Sequence, residues 1–230
     1  MKYEAIIFDL FGTLVHTVSS QEYRTTLTRV ASVLSIDSDA FIQSWANTSG
    51  DRIVGAMRNC RENFEYVCRQ VGTPISDEQI EFASKIRLDM IRREMVPRTD
   101  AVEVLSTLKS RGRGVGLISN CTYEATVIWQ STPLAPLIDA TVFSCLVGLK
   151  KPDARIYELA IHRLGVKPQD CLYIGDGGSH ELTGASRVGM KPVLLRIPNE
   201  EITDAYTDGS EANDWDGQVI SSLTEVLGPL

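Results

Sequence analysis

The sequence predicts an α/β protein built on a doubly wound parallel sheet with a smaller helical unit set into it. Three observations carry that expectation. From residue 96 onward, short apolar runs alternate with amphipathic segments, the pattern of successive β and α elements. From 15 to 95, by contrast, apolar residues recur at helical spacing and no strand-like run occurs. The first apolar run, Tyr3 to Phe8, is nearly continuous, as expected of a strand covered on both faces.

That first strand ends at Asp9, and Gly12-Thr13 follows as a turn signal. Tyr23, Leu27, Val30, Ala31 and Leu34 then share one helix face, as do Phe64, Val67, Cys68 and Val71. Ile80, Phe82, Ala83, Ile86 and Met90 mark a further helix, which Ser76-Asp77-Glu78-Gln79 equips with an N-cap and an acidic first turn. After Pro97 the spacing predicts a helix over 101–110 and strands over 114–118, 140–145, 171–174 and 192–195. Helices over 123–130, 154–164 and 181–188 are expected between them, and a short one ending near Leu227. Asn199 to Trp215 is acidic and polar and reads as a mobile loop. The expected division is a core of 1–14 with 96–230 and a helical unit of 15–95.

The chain has 230 residues with 23 Lys+Arg and 30 Asp+Glu, a formal net charge of −7. No basic block is present, which argues against nucleic acid as a partner. Apolar runs such as Ala5-Ile6-Ile7-Phe8 are too short for a bilayer, and Met1-Lys2-Tyr3-Glu4 lacks signal-peptide character. The expected location is therefore the cytoplasm. The five cysteines form an odd set with no Cys-x-x-Cys pair and read as free, mostly buried thiols.

Chemistry concentrates where strands end. The first is followed by Asp9, the second by Ser119-Asn120, the third by Gly148-Leu149-Lys150-Lys151-Pro152, and the fourth by Gly175-Asp176-Gly177-Gly178. In an open α/β sheet, ligands bind beyond the carboxyl ends of the strands, so these groups converge on one crevice. Each alone is ordinary turn chemistry. Their joint occurrence is not.

Asp9-Leu10-Phe11-Gly12-Thr13-Leu14, Ser119-Asn120, Lys151-Pro152-Asp153 and Gly175-Asp176 with Glu181 resemble the four ordered motifs of the haloacid dehalogenase superfamily of hydrolases. The helical stretch falls where that superfamily inserts its mobile cap. The resemblance implies a Rossmann-like core and an enzyme whose nucleophile is Asp9. It also implies Mg²⁺ as cofactor, held by Asp9, Asp176 and the backbone carbonyl of Phe11, with Glu181 in the outer shell. The physical reason is that an Asp carboxylate attacks phosphorus to form a covalent intermediate, and a cation relieves repulsion between neighbouring carboxylates. Lys151 would hold nucleophile and substrate anion together, and Ser119 would hydrogen-bond the non-bridging oxygens. Gly12, Thr13 and Asn120 are the candidate substrate-binding positions, Thr13 also fixing the turn after Asp9.

One position departs from the pattern. Most phosphatases of the superfamily carry a second Asp two residues after the nucleophile, and here that residue is Phe11. A general acid–base group is worth about 10²–10⁴ in rate. Three functions remain open. The first is a Mg²⁺-dependent phosphatase acting on a small anionic phosphomonoester, with His16 or His180 as candidates for the missing acid. The second is a metal-independent 2-haloacid dehalogenase, whose branch tolerates an aromatic residue here and also shares Tyr157. The third is a degenerate phospho-ligand-binding protein. The intact Asp176 favours the first. Trp45, Asn47 and Arg52 are candidate substrate contacts from the helical unit, and oligomeric state is left open.

Overall fold

A computed structural model describes residues 2–16, 19–198, 200 and 211–229. The first strand, β1 (Ala5–Phe8), is followed by five helices: α1 (Ser20–Val33), α2 (Ser38–Asn47), α3 (Ser49–Ile53), α4 (Cys60–Val71) and α5 (Asp77–Glu94). Alternation then sets in with α6 (Ala101–Ser110), β2 (Gly114–Ser119), α7 (Tyr123–Trp129), β3 (Ala140–Phe143) and α8 (Ser144–Val147). It continues through α9 (Ala154–Leu164), β4 (Cys171–Gly175), α10 (Glu181–Arg187), β5 (Lys191–Leu195) and β6 (Gln218–Ile220). The strands form one sheet in the order β3-β2-β1-β4-β5-β6, every pairing parallel. This is the Rossmann-like α/β architecture.

Alternation along β1 explains its continuous hydrophobicity. Ile6 and Phe8 face one side, packing with Leu105 and Leu108 of α6, while Ala5 and Ile7 face the other with Ile161 of α9 and Leu182 of α10. Each such fully buried aliphatic side chain stabilises by about 1.5–3 kcal/mol. A third cluster gathers Leu27, Val30, Phe41, Trp45, Phe64 and Val67, all from α1, α2 and α4. The amphipathic faces in 15–95 therefore bury against one another rather than against the sheet. Helix α5 is the exception: Ala83 joins that cluster, but Met90 and Ile91 belong to the cluster beneath the sheet. Its start carries a capping box, with Ser76 Oγ accepting from Gln79 N at 3.2 Å and Gln79 Oε1 accepting from Ser76 N at 2.9 Å.

The helices are tied to the core at several points. Val15 and Pro97 form an antiparallel bridge where the chain leaves and returns. Asn63 Nδ2 of α4 donates to Glu124 Oε1 of α7 at 3.1 Å, and Ser144 Oγ donates to the Ile53 carbonyl at 2.7 Å.

Several elements depart from expectation. The third strand stops at Phe143, and Ser144 and Cys145 open α8 instead. Helices α2 and α3 complete the helical unit. Strand β6 was not anticipated, because three residues do not make a periodic signal. The C-terminal segment Leu223–Leu227 is a 3₁₀ turn, ending where expected. Of the stretch read as a mobile loop, residues 199 and 201–210 lie outside the described residues, while Glu211 and Ala212 are buried. Among the described residues, no helix is long and apolar enough to cross a membrane.

Candidate active site

The strand order reverses around β1, so the residues following β1, β2 and β4 share the crevice at their carboxyl ends. Asp9 continues the ladder by one bond, its N–H donating to the Ile174 carbonyl at 2.9 Å. The chain then turns sharply: the Leu10 carbonyl accepts from Leu14 N at 2.9 Å and Val15 N at 3.0 Å, and Gly12 has φ +80°. A side chain at that φ is strained, which accounts for glycine there. Arg98 braces the turn, with Nε donating to the Thr13 carbonyl and Nη2 to the Gly12 carbonyl, both at 2.9 Å.

Lys151 enters from the loop after α8, and its ammonium lies 2.5 Å from Asp9 Oδ1 and 2.5 Å from Glu181 Oε2. All three side chains are buried. Tyr173 OH donates to Glu181 Oε2 at 2.7 Å, and Gly177 N donates to Glu181 Oε1 at 3.1 Å. Gly175 makes room for this carboxylate, since a Cβ there would sit 2.0 Å from Glu181 Oε1. Asp176 is half-buried and accepts from Gly178 N at 3.0 Å. Carboxylate oxygens of Asp9, Asp176 and Glu181 lie within 4.8 Å of one another.

Crowding sets the electrostatics. Burial pushes the Asp9 carboxyl up to about 7, with Lys151 opposing and Glu181 adding to the rise. Burial also raises Glu181 to about 7, again against Lys151 and with help from Asp176. Burial disfavours the Lys151 ammonium, yet Asp9 and Glu181 outweigh it and hold the lysine above its ordinary value. One ammonium thus serves two carboxylates, and the cluster retains excess negative charge. The donor set offers only hard oxygens from three acids, which fits Mg²⁺.

The remaining predicted positions divide between this cluster, the neighbouring cavity and the surface. Asn120 Nδ2 donates to the Lys151 carbonyl at 3.2 Å, and Asn120 Oδ1 accepts from Lys151 N at 2.8 Å. Ser119 Oγ and Thr13 Oγ1 are buried with no hydrogen-bond partner among the described residues. An unpaired buried hydroxyl costs about 1–3 kcal/mol. Phe11 is half-buried and lines a cavity of about 450 Å³ between the core and the helices. Trp45, Arg52 and Asn120 line the same cavity. Asn47 is exposed and accepts from Gln43 Nε2 at 2.9 Å. His16 is exposed near Glu200 and Arg98, and His180 is exposed at φ +51° before α10.

Sequence reading missed Arg98, Tyr173 and Glu211, and it singled out Tyr157 only through resemblance to the dehalogenase branch. Arg98 reaches the nucleophile turn from beyond the helices. Tyr173 lies inside a strand, where it reads as core, and Tyr157 OH donates to the Glu181 carbonyl at 3.0 Å. Glu211 accepts from Leu182 N at 2.5 Å and Thr183 N at 3.1 Å, capping the helix that carries Glu181. Only Tyr173 left a signal, a hydroxyl two residues before the Gly175-Asp176 strand end.

The chain is similar to several known proteins. Residues 3–189 match the model of the haloacid dehalogenase-like hydrolases. A glyceraldehyde 3-phosphate phosphatase of Methanopyrus kandleri is 24% identical, with 93% of this chain and 90% of that protein aligned. A second protein of that name, from Methanothermobacter thermautotrophicus, is 33% identical, but the match covers 56% of this chain and 57% of that protein. An (S)-2-haloacid dehalogenase of Pseudomonas putida is 25% identical over 85% of this chain and 86% of its own length. Among solved structures, a HAD phosphatase from Thermococcus onnurineus superposes with a TM-score of 0.64 at 19% identity, covering 97% of this chain and 95% of its own. That last likeness speaks for the fold. With the family match spanning most of its length, the chain belongs to the haloacid dehalogenase-like hydrolases and is a hydrolase.

Proposed function

We propose that this hydrolase is a Mg²⁺-dependent phosphatase that acts on a small phosphomonoester through an aspartyl-phosphate intermediate. The observation that carries the reading is the acidic trio: Asp176 stands with Asp9 and Glu181 in one oxygen cluster. A metal-free displacement has no use for that third acid, whereas a dianionic phosphate requires its charge to be offset. Relatives named as phosphatases support the same choice.

Asp9, Asp176 and the Phe11 carbonyl would hold the cation, with Glu181 in the outer shell, already engaged by Lys151, Tyr173 and Gly177. Bound there, Mg²⁺ neutralises charge on the phosphoryl group. Asp9 supplies the carboxylate oxygen that attacks phosphorus. Lys151 orients Asp9 and faces the substrate anion, while Ser119, Thr13 and the turn at Gly12 receive the non-bridging oxygens. The phosphorus–oxygen bond to the alcohol breaks, the departing oxygen keeps the electron pair and takes a proton from water, and a second water opens the acyl phosphate, releasing orthophosphate and regenerating Asp9. Helices α1–α5, residues 15–95 in our division from a core of 1–14 and 96–230, act as the cap that excludes bulk water. The odd set of five cysteines without a paired spacing supports a cytoplasmic setting.

The test measures phosphate release from acetyl phosphate and 4-nitrophenyl phosphate with and without MgCl₂, and halide release from 2-chloropropionate. Metal-dependent phosphate release that Asp9→Asn abolishes is expected. The apolar Phe11 keeps one second reading in view: metal-independent halide release would make the protein a 2-haloacid dehalogenase. Silence in both assays would make it a phospho-ligand-binding protein.

A further inference from the structure

We propose that the substrate is an aryl phosphomonoester, a phosphate carried by a phenolic oxygen, with its ring seated in the cavity between Phe11 and Trp45. The proposal rests on the phosphatase reading and adds the identity of the leaving group.

The first argument is the wall of the cavity. Trp45 is buried and immobilised: its Nε1–H donates to Tyr23 OH at 2.8 Å, and Phe41 and Phe64 pack at 5.6 Å between ring centroids. The Arg52 guanidinium stacks 3.7 Å over the indole and donates to the Trp45 carbonyl at 2.5 Å, so the cation covers that face of the ring. Because Trp45 donates its only N–H to Tyr23 and is buried beneath Arg52 and Arg87, the indole backs the cavity wall and offers it no hydrogen bond. Asn120, the amide of the lining, is engaged with the Lys151 backbone. The rest of the polar lining consists of the hydroxyls of Ser20, Ser49 and Thr122 and the guanidiniums of Arg24, Arg52 and Arg87, of which Arg24 is paired with Asp39 and Arg87 lies over the Tyr23 and Trp45 rings; most of the remaining surface is apolar. A polyhydroxylated alcohol entering here would leave hydroxyls poorly matched, whereas a planar apolar body fits.

Size gives the second argument. The volume of about 450 Å³ is in the range of pockets that hold drug-sized organic molecules. A three-carbon phosphate would leave most of it empty.

Phe11 supplies the third, from chemistry rather than shape. It stands two residues after Asp9 and cannot protonate a departing oxygen. A phenol has a pKa of about 10, like tyrosine, whereas an aliphatic alcohol is a far weaker acid, close to bulk water. A phenolate therefore leaves without the acid that an alkoxide needs. The same side chain that withholds a proton gives the cavity an aromatic surface beside the nucleophile loop. In the balanced step, Asp9 forms an oxygen–phosphorus bond, the phosphorus–oxygen bond to the ring breaks, and phenolate departs with the electron pair. Phenolate takes its proton from water, and a second water releases orthophosphate from Asp9.

The experiment uses the full chain with MgCl₂ and compares kcat/KM for phenyl phosphate, glyceraldehyde 3-phosphate and acetyl phosphate. It also compares inhibition by phenylphosphonate and methylphosphonate, which need no turnover. Phenyl phosphate should exceed glyceraldehyde 3-phosphate at least about tenfold, and phenylphosphonate should bind roughly tenfold or more tightly than methylphosphonate. Phe11→Leu should shrink the phosphonate ratio, and Phe11→Asp should raise turnover of glyceraldehyde 3-phosphate relative to phenyl phosphate. Hydrolysis of acetyl phosphate with no aryl preference in either comparison overturns the proposal and leaves the phosphatase reading intact. If no phosphate is released from acetyl phosphate either, the phosphatase reading falls and takes this proposal with it.

Discussion

The side chain of Asn120 and the backbone of Lys151 hold each other by two hydrogen bonds, one in each direction, at 3.2 Å and 2.8 Å. The amide at the end of β2 thus sets where the lysine loop sits, and the lysine in turn sets Asp9. Replacing Asn120 with Ala should lower kcat by about 10-fold to 100-fold, the scale of one or two lost hydrogen bonds to a positioned group. KM should change less, and the denaturation midpoint should fall only slightly. An equal rise in KM with unchanged kcat would instead assign Asn120 to substrate binding.

Removing the ammonium leaves Asp9 and Glu181 buried against each other. Lys151→Met should cost about 3–5 kcal/mol at neutral pH in urea unfolding, as breaking a buried ion pair does. Adding Asp9→Asn should recover part of that loss, since only one carboxylate then remains to be compensated. A double variant no more stable than the single one would count against a shared ammonium.

The raised carboxyls give the metal-free protein a defined pH response. Asp9 and Glu181 each titrate at about 7 in the fold, against roughly 4 in an unfolded chain. The folded state therefore binds more protons between these values. Its stability contribution is full below about pH 4 and is lost as pH rises through 7. Taken alone, these groups should lower the thermal midpoint from pH 5.5 to 8, and Glu181→Gln should flatten the slope. MgCl₂, which favours the ionised carboxylates, should stabilise more at pH 8 than at pH 5.5. Calorimetry across that range, with and without MgCl₂, provides the check.

Gly55 lies at φ +74°, and a Cβ there would approach the Cys145 carbonyl to 1.9 Å. Gly55→Ala should therefore destabilise by about 1–3 kcal/mol through backbone strain and this clash. Because the contact joins the loop after α3 to α8, the variant should also expose α1–α5 to limited proteolysis faster than wild type. Unchanged proteolysis in a variant of normal stability would show that the contact bears no load.

Asp9, Lys151, Asp176 and Glu181 were legible in the sequence because each sits a few residues past a strand or loop signal, where local turn chemistry and chain order coincide. The parallel sheet was legible for the same reason: apolar runs bounded by turns recur at regular intervals. Arg98 was not legible, because its partners are backbone carbonyls of residues more than eighty positions earlier. Glu211 lay in a stretch whose polarity suggested solvent, yet its carboxylate meets the N–H groups that α10 cannot satisfy internally. For Asn120, the residue type pointed to a ligand, while the geometry gives both of its polar atoms to Lys151. Composition does not reveal such long-range pairings.

The bridge between Val15 and Pro97 has a consequence for how the two parts of the chain share one fold. With Arg98 N also donating to the Leu14 carbonyl at 2.9 Å, the outgoing and returning segments are fastened side by side. To the sheet, everything between them is a single closed loop, and the entropy of closing such a loop grows only with the logarithm of its length. The helical part is then an exchangeable attachment: its size and shape can vary widely while the spacing at its base, and with it the placement of Asp9, stays the same.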